Sequence, residues 1–396
     1  MNTVSHTMKN DALVVALEGK IVSANAGELQ DEVDAALKET GAAAITFDAA
    51  NLEYISSSGL RIVMRVAQRG LKVSVTNASP EVYEVFDMTG LTEIIDVSKR
   101  LREISLDGLQ QIGAGANGRV YRLNAEQVLK VYTPLTNPPE KIAQEKRTAR
   151  EAFILGIPSA LSFDMVRVGD SLGIVYELVD ALTLGETIAK SPERADEYAT
   201  RMAEMLKQLH ATEFTEGTLP DARLGLHAWV DVSEKSGYYP PEVIEKVRAL
   251  VDSIPPKNTF VHGDFHPANI MVTDDDELLL IDMGDASVGD PIVDLLGSYQ
   301  LMCLVASRPG AAELYTGMSS ELLARVWDVF VRTYYGTDDD QEIARIEQRL
   351  KFYAIIRSMA GITFSSVLTD DERRETANQI MAAFLHGWEM LAREAK

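Results

Sequence analysis

The stretch that decides the fold of this chain reads Phe260-Val261-His262-Gly263-Asp264-Phe265-His266-Pro267-Ala268-Asn269-Ile270-Met271. Within it, Asp264 and Asn269 stand five positions apart. A few residues later, the apolar run 278–281 predicts a buried strand, and this strand ends at Asp282. A rigid strand delivers its last side chain to a fixed point. We therefore expect Asp264, Asn269 and Asp282 to contribute to one polar site.

A glycine pattern lies far upstream of this stretch. Gly113, Gly115 and Gly118 follow the strand-like segment 109–112, and alone they fit a dinucleotide fold, a kinase phosphate loop or a tight turn. A dinucleotide fold needs a helix directly after the glycines. Here the chain continues as a strand, a turn and a second strand that contains Lys130. This order is typical of the nucleotide lobe of kinases.

A helix predicted over residues 140–155 follows Lys130. Glu145 projects from its middle, as is required of an acid that holds the phosphate-binding lysine of a kinase in place. Glu151 is the alternative, and either side chain could instead lie on a solvated helix face. We favour Glu145 because its distance from the Gly-Ile-Pro sequence at 156–158 resembles that in the family named next.

The form H-G-D-x-H-x-x-N at 262–269, followed by Asp282 and by Gly-Asp-Pro-Ile-Val-Asp-Leu at 289–295, resembles the aminoglycoside phosphotransferase and choline kinase family. The resemblance spans residues 109 to 390. It implies a bilobal α+β protein-kinase-like fold that binds ATP and Mg²⁺. The metal-binding aspartate of this family is usually followed by an aromatic residue and a second acid. Here Met283 and Gly284 precede Asp285.

The resemblance also implies roles for individual residues. Glycines 113, 115 and 118 would cover the phosphates, and the backbone of Glu177 and Val179 would pair with the adenine edge. The remaining roles are phosphate positioning by Lys130, orientation of that lysine by Glu145, magnesium binding by Asn269 and Asp282, and alignment and deprotonation of the acceptor hydroxyl by Asp264.

Short β-branched runs alternate with helical patterns in residues 1–105, which predicts a compact α/β domain. Its segment Ser56-Ser57-Ser58-Gly59-Leu60, together with 85–91, resembles the STAS domain of anti-sigma-factor antagonists. In that family the pattern is Asp-Ser-Ser-Gly-Leu, so Ser57 matches the phosphoacceptor, although serine replaces the aspartate at position 56. The alternative is that these serines cap the helix that follows. The resemblance implies an anti-sigma-factor-like partner.

Composition and charge narrow the remaining choices. The chain has 396 residues, 38 basic and 60 acidic side chains and a formal charge of −22, so we expect no nucleic-acid partner. One cysteine excludes an internal disulfide and fits a reducing cytoplasm. No leader pattern and no apolar run of about 18 residues is found, so we expect a cytoplasmic protein that does not insert into membranes.

These patterns predict a STAS-like domain at 1–105 and a kinase-like domain at 106–396, with its N-lobe at about 106–180 and its C-lobe at about 181–396. The leading hypothesis is ATP- and Mg²⁺-dependent phosphate transfer to a small-molecule hydroxyl. One alternative is a signalling protein whose kinase-like domain phosphorylates Ser57 or senses nucleotide in a sigma-factor partner switch. The other is an interaction module that recruits an anti-sigma-like protein.

The acceptor is left open by the sequence. Acidic clusters at 338–340 and 370–372 would suit a polycation, although solvated helix or loop acids are the simpler interpretation. Trp229, Trp327 and Trp388 with two tyrosines at 334–335 would suit a quaternary ammonium ion if they met in a cage. The acidity of the second domain mildly favours a cationic acceptor.

Overall fold

The computed structural model describes residues 5–9, 12–115, 117–134, 137–179, 181–215, 217–364 and 368–394. The chain divides into two compact units, Met1–Ile104 and Ser105–Lys396. Among the described helices, none combines the length and apolar character needed to cross a membrane.

The first unit is an α/β layer structure. In its described part, five strands form one sheet in the order β1-β2-β3-β4-β5, with β1 antiparallel to β2 and all other neighbours parallel. The helices pack apolar faces on this sheet. The elements are β1 (Ser5–Lys9), β2 (Ala12–Ile21), α1 (Ala26–Thr40), β3 (Ala44–Ile55), α2 (Ser57–Ala67), β4 (Lys72–Ala78), α3 (Pro80–Met88), β5 (Asp96–Lys99) and the two-residue strand β6 (Arg102–Glu103).

The junction between β3 and α2 is tightly packed. Gly59 lies in the first turn of α2, and a Cβ atom at this position would stand 2.6 Å from Ile55 Cγ1 and 2.7 Å from Ile21 Cγ2. Ile21 and Ile55 are paired neighbours on β2 and β3. The missing side chain of Gly59 therefore lets α2 approach the sheet closely.

The second unit begins with an antiparallel sheet whose strands run in the order β10-β11-β9-β8-β7 within the described residues. Lys130 lies on the central strand, β9, opposite Val120 on β8 and Ile174 on β11. The elements of this part are β7 (Gln110–Gly115), β8 (Gly118–Arg122), β9 (Gln127–Tyr132), α4 (Pro139–Ile154), β10 (Ser162–Val168) and β11 (Ser171–Glu177).

The rest of the second unit is mostly helical around one large apolar core. Two short antiparallel sheets, β12-β14-β15 and β13-β16, carry the polar loops. The elements are β12 (Leu182–Thr183), α5 (Leu184–Lys190), α6 (Ala195–His210), α7 (Ala222–Ser236), α8 (Pro241–Asp252), β13 (Phe260–Val261), β14 (Ile270–Val272), β15 (Leu278–Leu280), β16 (Ser287–Val288), α9 (Ile292–Tyr299), a π-helical segment (Gln300–Val305), α10 (Ala311–Thr316), α11 (Ser320–Tyr335), α12 (Asp340–Phe364) and α13 (Asp370–Glu394).

This arrangement explains where the polar loops lie. The loop 262–269 joins β13 to β14. Since β14 pairs with β15, this pairing positions both the loop that precedes β14 and Asp282, which follows β15. The α/β fold of the first unit and the bilobal α+β fold of the second are the folds that the sequence predicts.

Candidate active site

A buried lysine with two carboxylate partners forms the first part of the site. Lys130 Nζ lies 2.9 Å from Glu145 Oε1 on α4 and 2.7 Å from Asp282 Oδ1 just after β15. The Tyr176 hydroxyl donates to the same Glu145 oxygen over 2.9 Å. Glu145, and not Glu151, is therefore the partner of Lys130.

Burial and charge act against each other in this cluster. Burial alone would lower the pKa of Lys130, but the carboxylates of Asp282 and Glu145 outweigh burial and hold that pKa above its usual value. Burial likewise opposes ionisation of Asp282, yet the Lys130 ammonium holds the pKa of Asp282 below its usual value. Both groups are charged at neutral pH.

The backbone around Asp282 is unusual. Asp282 has a φ of 60°, in the left-handed region that non-glycine residues rarely adopt. The turn Met283–Asp285 follows at once. A Cβ atom at Gly284 would stand 2.9 Å from Glu145 Oε2 and 3.3 Å from Asp282 Oδ1. The glycine thus permits the two carboxylates to share the space around Lys130.

The loop after β13 forms the second part of the site. Asn269 Nδ2 donates to the Asp264 carbonyl over 2.9 Å and to Asp264 Oδ2 over 3.1 Å. His266 Nε2 lies 3.3 Å from the same carboxylate oxygen. Because the amide nitrogen of Asn269 donates to Asp264, its amide oxygen is the atom that can accept a hydrogen bond or bind a cation.

One charged residue of this site was not predicted from the sequence. Arg357, on α12, donates from Nη2 to Asp264 Oδ1 over 2.9 Å and from Nη1 to the Gly263 carbonyl over 3.0 Å. Its guanidinium also lies 5.5 Å from the ring centre of Trp229. The sequence did contain one signal for this residue, an arginine inside the apolar helical stretch 354–360. Arginine is almost never buried without a partner, so this position indicates a buried partner for Arg357.

His266 and Arg357 together govern the charge state of the loop carboxylate. Burial opposes ionisation of Asp264, but the contacts with His266 and Arg357 outweigh burial and hold the pKa of Asp264 well below its usual range. The Asp264 carboxylate therefore favours its ionised form, and it accepts hydrogen bonds from Asn269 and Arg357.

A buried carboxylate fixes the backbone of the same loop. Asp294, fully buried at the start of α9, accepts from His262 N over 2.9 Å and from Gly263 N over 2.6 Å. His210 Nε2 lies 3.0 Å from Asp294, and His210 Nδ1 lies 2.7 Å from the Tyr334 hydroxyl. His210 is the last residue of α6, and through these contacts it connects Asp294 with Tyr334 of α11.

The glycine turn and the segment after β11 lie in the first lobe of this unit. Gly113 lies within β7, Gly115 ends β7 and Gly118 begins β8, while residue 116 is outside the described part. A Cβ atom at Gly118 would collide with the Val131 carbonyl, whereas the other two glycines meet no such obstacle. Glu177 ends β11, and the next amide, Leu178 N, donates to Glu126 O over 2.8 Å.

The serines of the first unit do not behave as simple caps. Ser56 is the residue before α2, and its side chain makes no capping hydrogen bond to the helix. Ser58 Oγ lies 3.0 Å from Ser23 Oγ. Ser57 is the first residue of α2, and its side chain is exposed. The capping alternative is therefore wrong for Ser56, and Ser57 presents its hydroxyl to solvent.

The acidic and aromatic clusters have structural partners. Asp340 and Asp370 begin α12 and α13, and they pair with Arg332 over 2.7 Å and with Arg374 over 3.1 Å. The three tryptophans belong to different clusters: Trp229 meets Arg357, Trp327 packs on Phe330, and Trp388 packs on Phe384. The predicted aromatic cage is therefore not assembled from these tryptophans.

Comparisons with known proteins agree with both units. Residues 108–328 match the model of the phosphotransferase enzyme family, and residues 4–104 match the STAS domain. A protein of Bordetella bronchiseptica classed as an anti-sigma factor antagonist, BtrV, is 37% identical over 90 residues, which are 22% of this chain and 77% of that protein. The anti-sigma F factor antagonist of Paenibacillus polymyxa is 26% identical over 89 residues, 22% of this chain and 76% of that protein.

Solved structures similar to the chain include an ADP-bound aminoglycoside phosphotransferase, APH(2'')-Ib, at 17% identity and a TM-score of 0.45, covering 76% of this chain and 97% of that one. A choline/ethanolamine kinase family protein from Mesorhizobium loti has 17% identity and a TM-score of 0.45, covering 72% of this chain and 90% of that one. With the family match spanning more than half of its length, the chain belongs to the phosphotransferase enzyme family and carries a STAS domain ahead of the phosphotransferase region.

Proposed function

We propose that the second unit transfers the γ-phosphate of ATP to a hydroxyl group of a small molecule. The observation that carries the proposal is the Lys130 ammonium held between Glu145 and Asp282, at 2.9 Å and 2.7 Å. A charged lysine fixed in this way places a positive charge where the phosphates of a nucleotide need one, and phosphoryl transfer depends mainly on positioning and charge stabilisation.

The nucleotide would bind in the lobe that contains Lys130. Gly113 and Gly115 leave room for a phosphate chain against the backbone of the turn, and Gly118 permits the turn to pack on β9. Neighbouring residues of an extended segment point to opposite edges. Leu178 N donates to Glu126 O, Glu177 N donates to Leu161 O, and Val179 O accepts from Ala181 N, so we assign the Glu177 carbonyl and the Val179 amide to the adenine edge.

Asn269 and Asp282 suit Mg²⁺. They offer an amide oxygen and an ionised carboxylate, which are hard donors, and the Asp282 side chain keeps 35% of its exposure. Among the described residues, no group of three or more His, Cys, Asp or Glu could hold a metal by itself. Mg²⁺ usually keeps water molecules and phosphate oxygens as its other ligands, so two protein ligands suffice. When bound, Mg²⁺ neutralises negative charge on the transferred phosphate.

Asp264 would receive the acceptor hydroxyl. The acceptor oxygen bonds to the γ-phosphorus, the bond from that phosphorus to the β,γ-bridging oxygen breaks, and ADP leaves. The hydroxyl proton passes to the Asp264 carboxylate and then to water. A carboxylate with a strongly depressed pKa is a weak base, so its main contribution here is to align the hydroxyl through a hydrogen bond.

The variant Asp282→Asn tests this proposal. It keeps the size of the side chain and removes the charge that meets Lys130, so we expect kcat for ATP-dependent transfer to fall by about 10²-fold or more. Asp274→Asn is the matched control, because Asp274 is an exposed carboxylate on the turn before β15. Turnover is measured as ADP release across a panel of hydroxyl acceptors. Equal activity of the Asp282→Asn variant and the wild type, with Mg²⁺ present, would refute the proposed role.

A second candidate function is partner switching controlled by phosphorylation. The exposed Ser57 hydroxyl at the start of α2 and the likeness of the first unit to anti-sigma factor antagonists favour it. Phosphate on Ser57 would lie at the positive end of the helix dipole. In this function the second unit supplies the phosphate, and the first unit binds an anti-sigma-factor-like protein in one of its two states.

A further inference from the structure

A large groove lies along the last helices of the second unit, and the charges of its lining residues are opposite in sign to the net charge of the chain. It has a volume of about 1650 Å³ and lies along the π-helical segment, α10, α12 and α13, with Gly115 of the glycine turn at one end. Ser358 lines it, and the preceding residue, Arg357, contacts Asp264 over 2.9 Å. The groove therefore reaches the glycine turn and the helix α12, which also carries Arg357.

The charged side chains along the groove are all basic. The described lining residues include Arg308, Arg345, Arg349 and Lys351, and they include no aspartate or glutamate. In the described part of the chain, no carboxylate forms an ion pair with any of the three arginines or with Lys351. These four side chains are therefore not engaged in ion pairs within the described residues and are available to pair with a ligand.

The nearest acid along α12 forms no ion pair with these cations in the described part of the chain. Glu347 lies between Arg345 and Arg349 in sequence, but its Oε1 atom accepts a hydrogen bond from Trp327 Nε1 over 2.7 Å. The other charged contacts are weak, since Arg345 donates to the Gln341 carbonyl over 3.2 Å and Arg349 lies 5.9 Å from the ring centre of Tyr353. Neither contact removes a positive charge.

Apolar side chains form much of the remaining wall. Leu301, Leu304, Val305, Phe352 and Ile380 line the groove. Leu314, from α10, lines it as well and is 73% exposed. Apolar surface of this kind is stabilised when a ligand covers it. Pockets for small ligands commonly measure about 300–1,000 Å³, so the groove has room for an extended compound.

We propose that this groove binds the phosphate acceptor and that the acceptor is a largely apolar hydroxyl compound that carries an anionic group. The apolar part lies against the aliphatic wall, and the anionic group pairs with the cations along the rim. The inference rests on the proposed phosphotransferase function and specifies its substrate class. It differs from the expectation that overall acidity favours a cationic acceptor, because charges more than about 10 Å away are largely screened at physiological salt.

Three probes with the same carbon chain test the proposal: ω-hydroxydecanoate, decanediol and ω-aminodecanol. Each has a terminal hydroxyl, and they differ in the charge at the other end. Calorimetric titration of the full chain measures binding without requiring phosphate transfer. We expect ω-hydroxydecanoate to bind most tightly and ω-aminodecanol least tightly, with the preference decreasing as salt is added.

The double variant Arg308→Glu, Lys351→Glu should lower the affinity for ω-hydroxydecanoate by about tenfold. Lys235→Glu, on exposed surface of α7 outside the groove, makes the same kind of charge change and should leave that affinity unaltered. The inference is overturned if ω-aminodecanol binds as tightly as the anion, if the double variant retains wild-type affinity, or if it weakens ATP binding alone.

ADP release with each probe separates this inference from the function on which it rests. Selective binding of ω-hydroxydecanoate without any ADP release supports the groove assignment and contradicts phosphate transfer to this class of compound. Transfer to ω-aminodecanol, with no selective binding of the anion, supports the phosphotransferase function and overturns the inferred acceptor class.

Discussion

Arg357 is a buried cation that contributes to the charge state of Asp264 in the candidate reaction centre. Its guanidinium donates hydrogen bonds to Asp264 and to the Gly263 carbonyl, and these two partners stabilise its buried position. The contacts of Asp264 with His266 and Arg357 hold the pKa of Asp264 well below its usual range. A group with a depressed folded-state pKa stabilises the fold at pH values above its unfolded pKa, and this contribution is lost as pH falls through the folded pKa.

We therefore predict that Arg357→Met raises the pKa of Asp264, because burial then opposes ionisation with less compensation. The acidic limb of the kcat/KM profile should move to higher pH, and kcat at neutral pH should fall by about tenfold or more. The measurement is the pH profile of ADP release at saturating ATP.

Arg357→Lys serves as the conservative control for this prediction. A lysine keeps the positive charge but not the two-pronged contact with Asp264 and Gly263, so we expect it to restore much of the pH profile. A purely structural role for Arg357 would lower activity at all pH values equally. An acidic limb that stays in place in the Arg357→Met variant would contradict the prediction.

At the scale of elements, the approach of α2 to the sheet depends on Gly59. A Cβ atom there would stand 2.6 Å from Ile55 Cγ1 and 2.7 Å from Ile21 Cγ2, closer than real Cβ contacts. We predict that Gly59→Ala lowers the free energy of unfolding of the first unit by about 1–3 kcal/mol, because the buried isoleucines have to move. Urea unfolding followed by circular dichroism measures the change.

Gly27→Ala is the matched control for that prediction. Gly27 lies in the first turn of α1, is exposed, and has nothing within 4 Å of an added Cβ atom. Alanine is the better helix former, so this variant should be neutral or slightly stabilising. Equal effects of the two substitutions would show that backbone propensity, and not packing, determines the result at Gly59.

Helices, strands and site residues that depend on patterns within a short stretch of sequence could be predicted. The helix predicted at 140–155 is found at Pro139–Ile154, and the apolar run before Asp282 forms β15. Asp264 and Asn269 are brought into hydrogen-bonding contact because a five-residue offset within one loop leaves little freedom. Glu145 was preferred to Glu151 because of its distance from the Gly-Ile-Pro sequence at 156–158, and one helix fixes most of that distance.

Contacts that arise from tertiary packing were not accessible in the same way. Arg357 is 93 positions from Asp264, and no spacing rule links a residue of α12 to a loop before β14. The same holds for Asp294, which reaches the amides of His262 and Gly263 from α9. The basic groove was also missed, because composition gives the net charge of the chain and not where the charges lie.

At the scale of the whole molecule, the two units differ in net charge, and each has its own apolar core. Residues 1–105 carry 15 acidic and 10 basic side chains, and the remainder carries 45 and 28. The two units have separate apolar cores. Because ATP is an anion, an acidic unit can admit it only through local positive charge such as that of Lys130, and Mg²⁺ would add to this charge.

The presence of both units in one chain raises the question of whether Ser57 receives phosphate from the second unit. If partner switching is the function, labelled ATP should label the wild-type chain and Ser58→Ala, but neither Ser57→Ala nor Asp282→Asn. Ser58 is the matched control, since its hydroxyl lies one residue away and contacts Ser23. Label on Ser57→Ala equal to that on the wild type, or a wild-type chain without label, would contradict the prediction.

A mixture of two full-length variants then tells whether transfer occurs within one chain or between chains. Asp282→Asn retains Ser57 but lacks the carboxylate that meets Lys130, whereas Ser57→Ala retains that carboxylate and lacks the acceptor. If phosphate passes between chains, mixing the two unlabelled variants with labelled ATP produces label on the Asp282→Asn chain. If phosphate passes only within one chain, the mixture remains unlabelled while the wild type is labelled, since neither variant alone contains both groups.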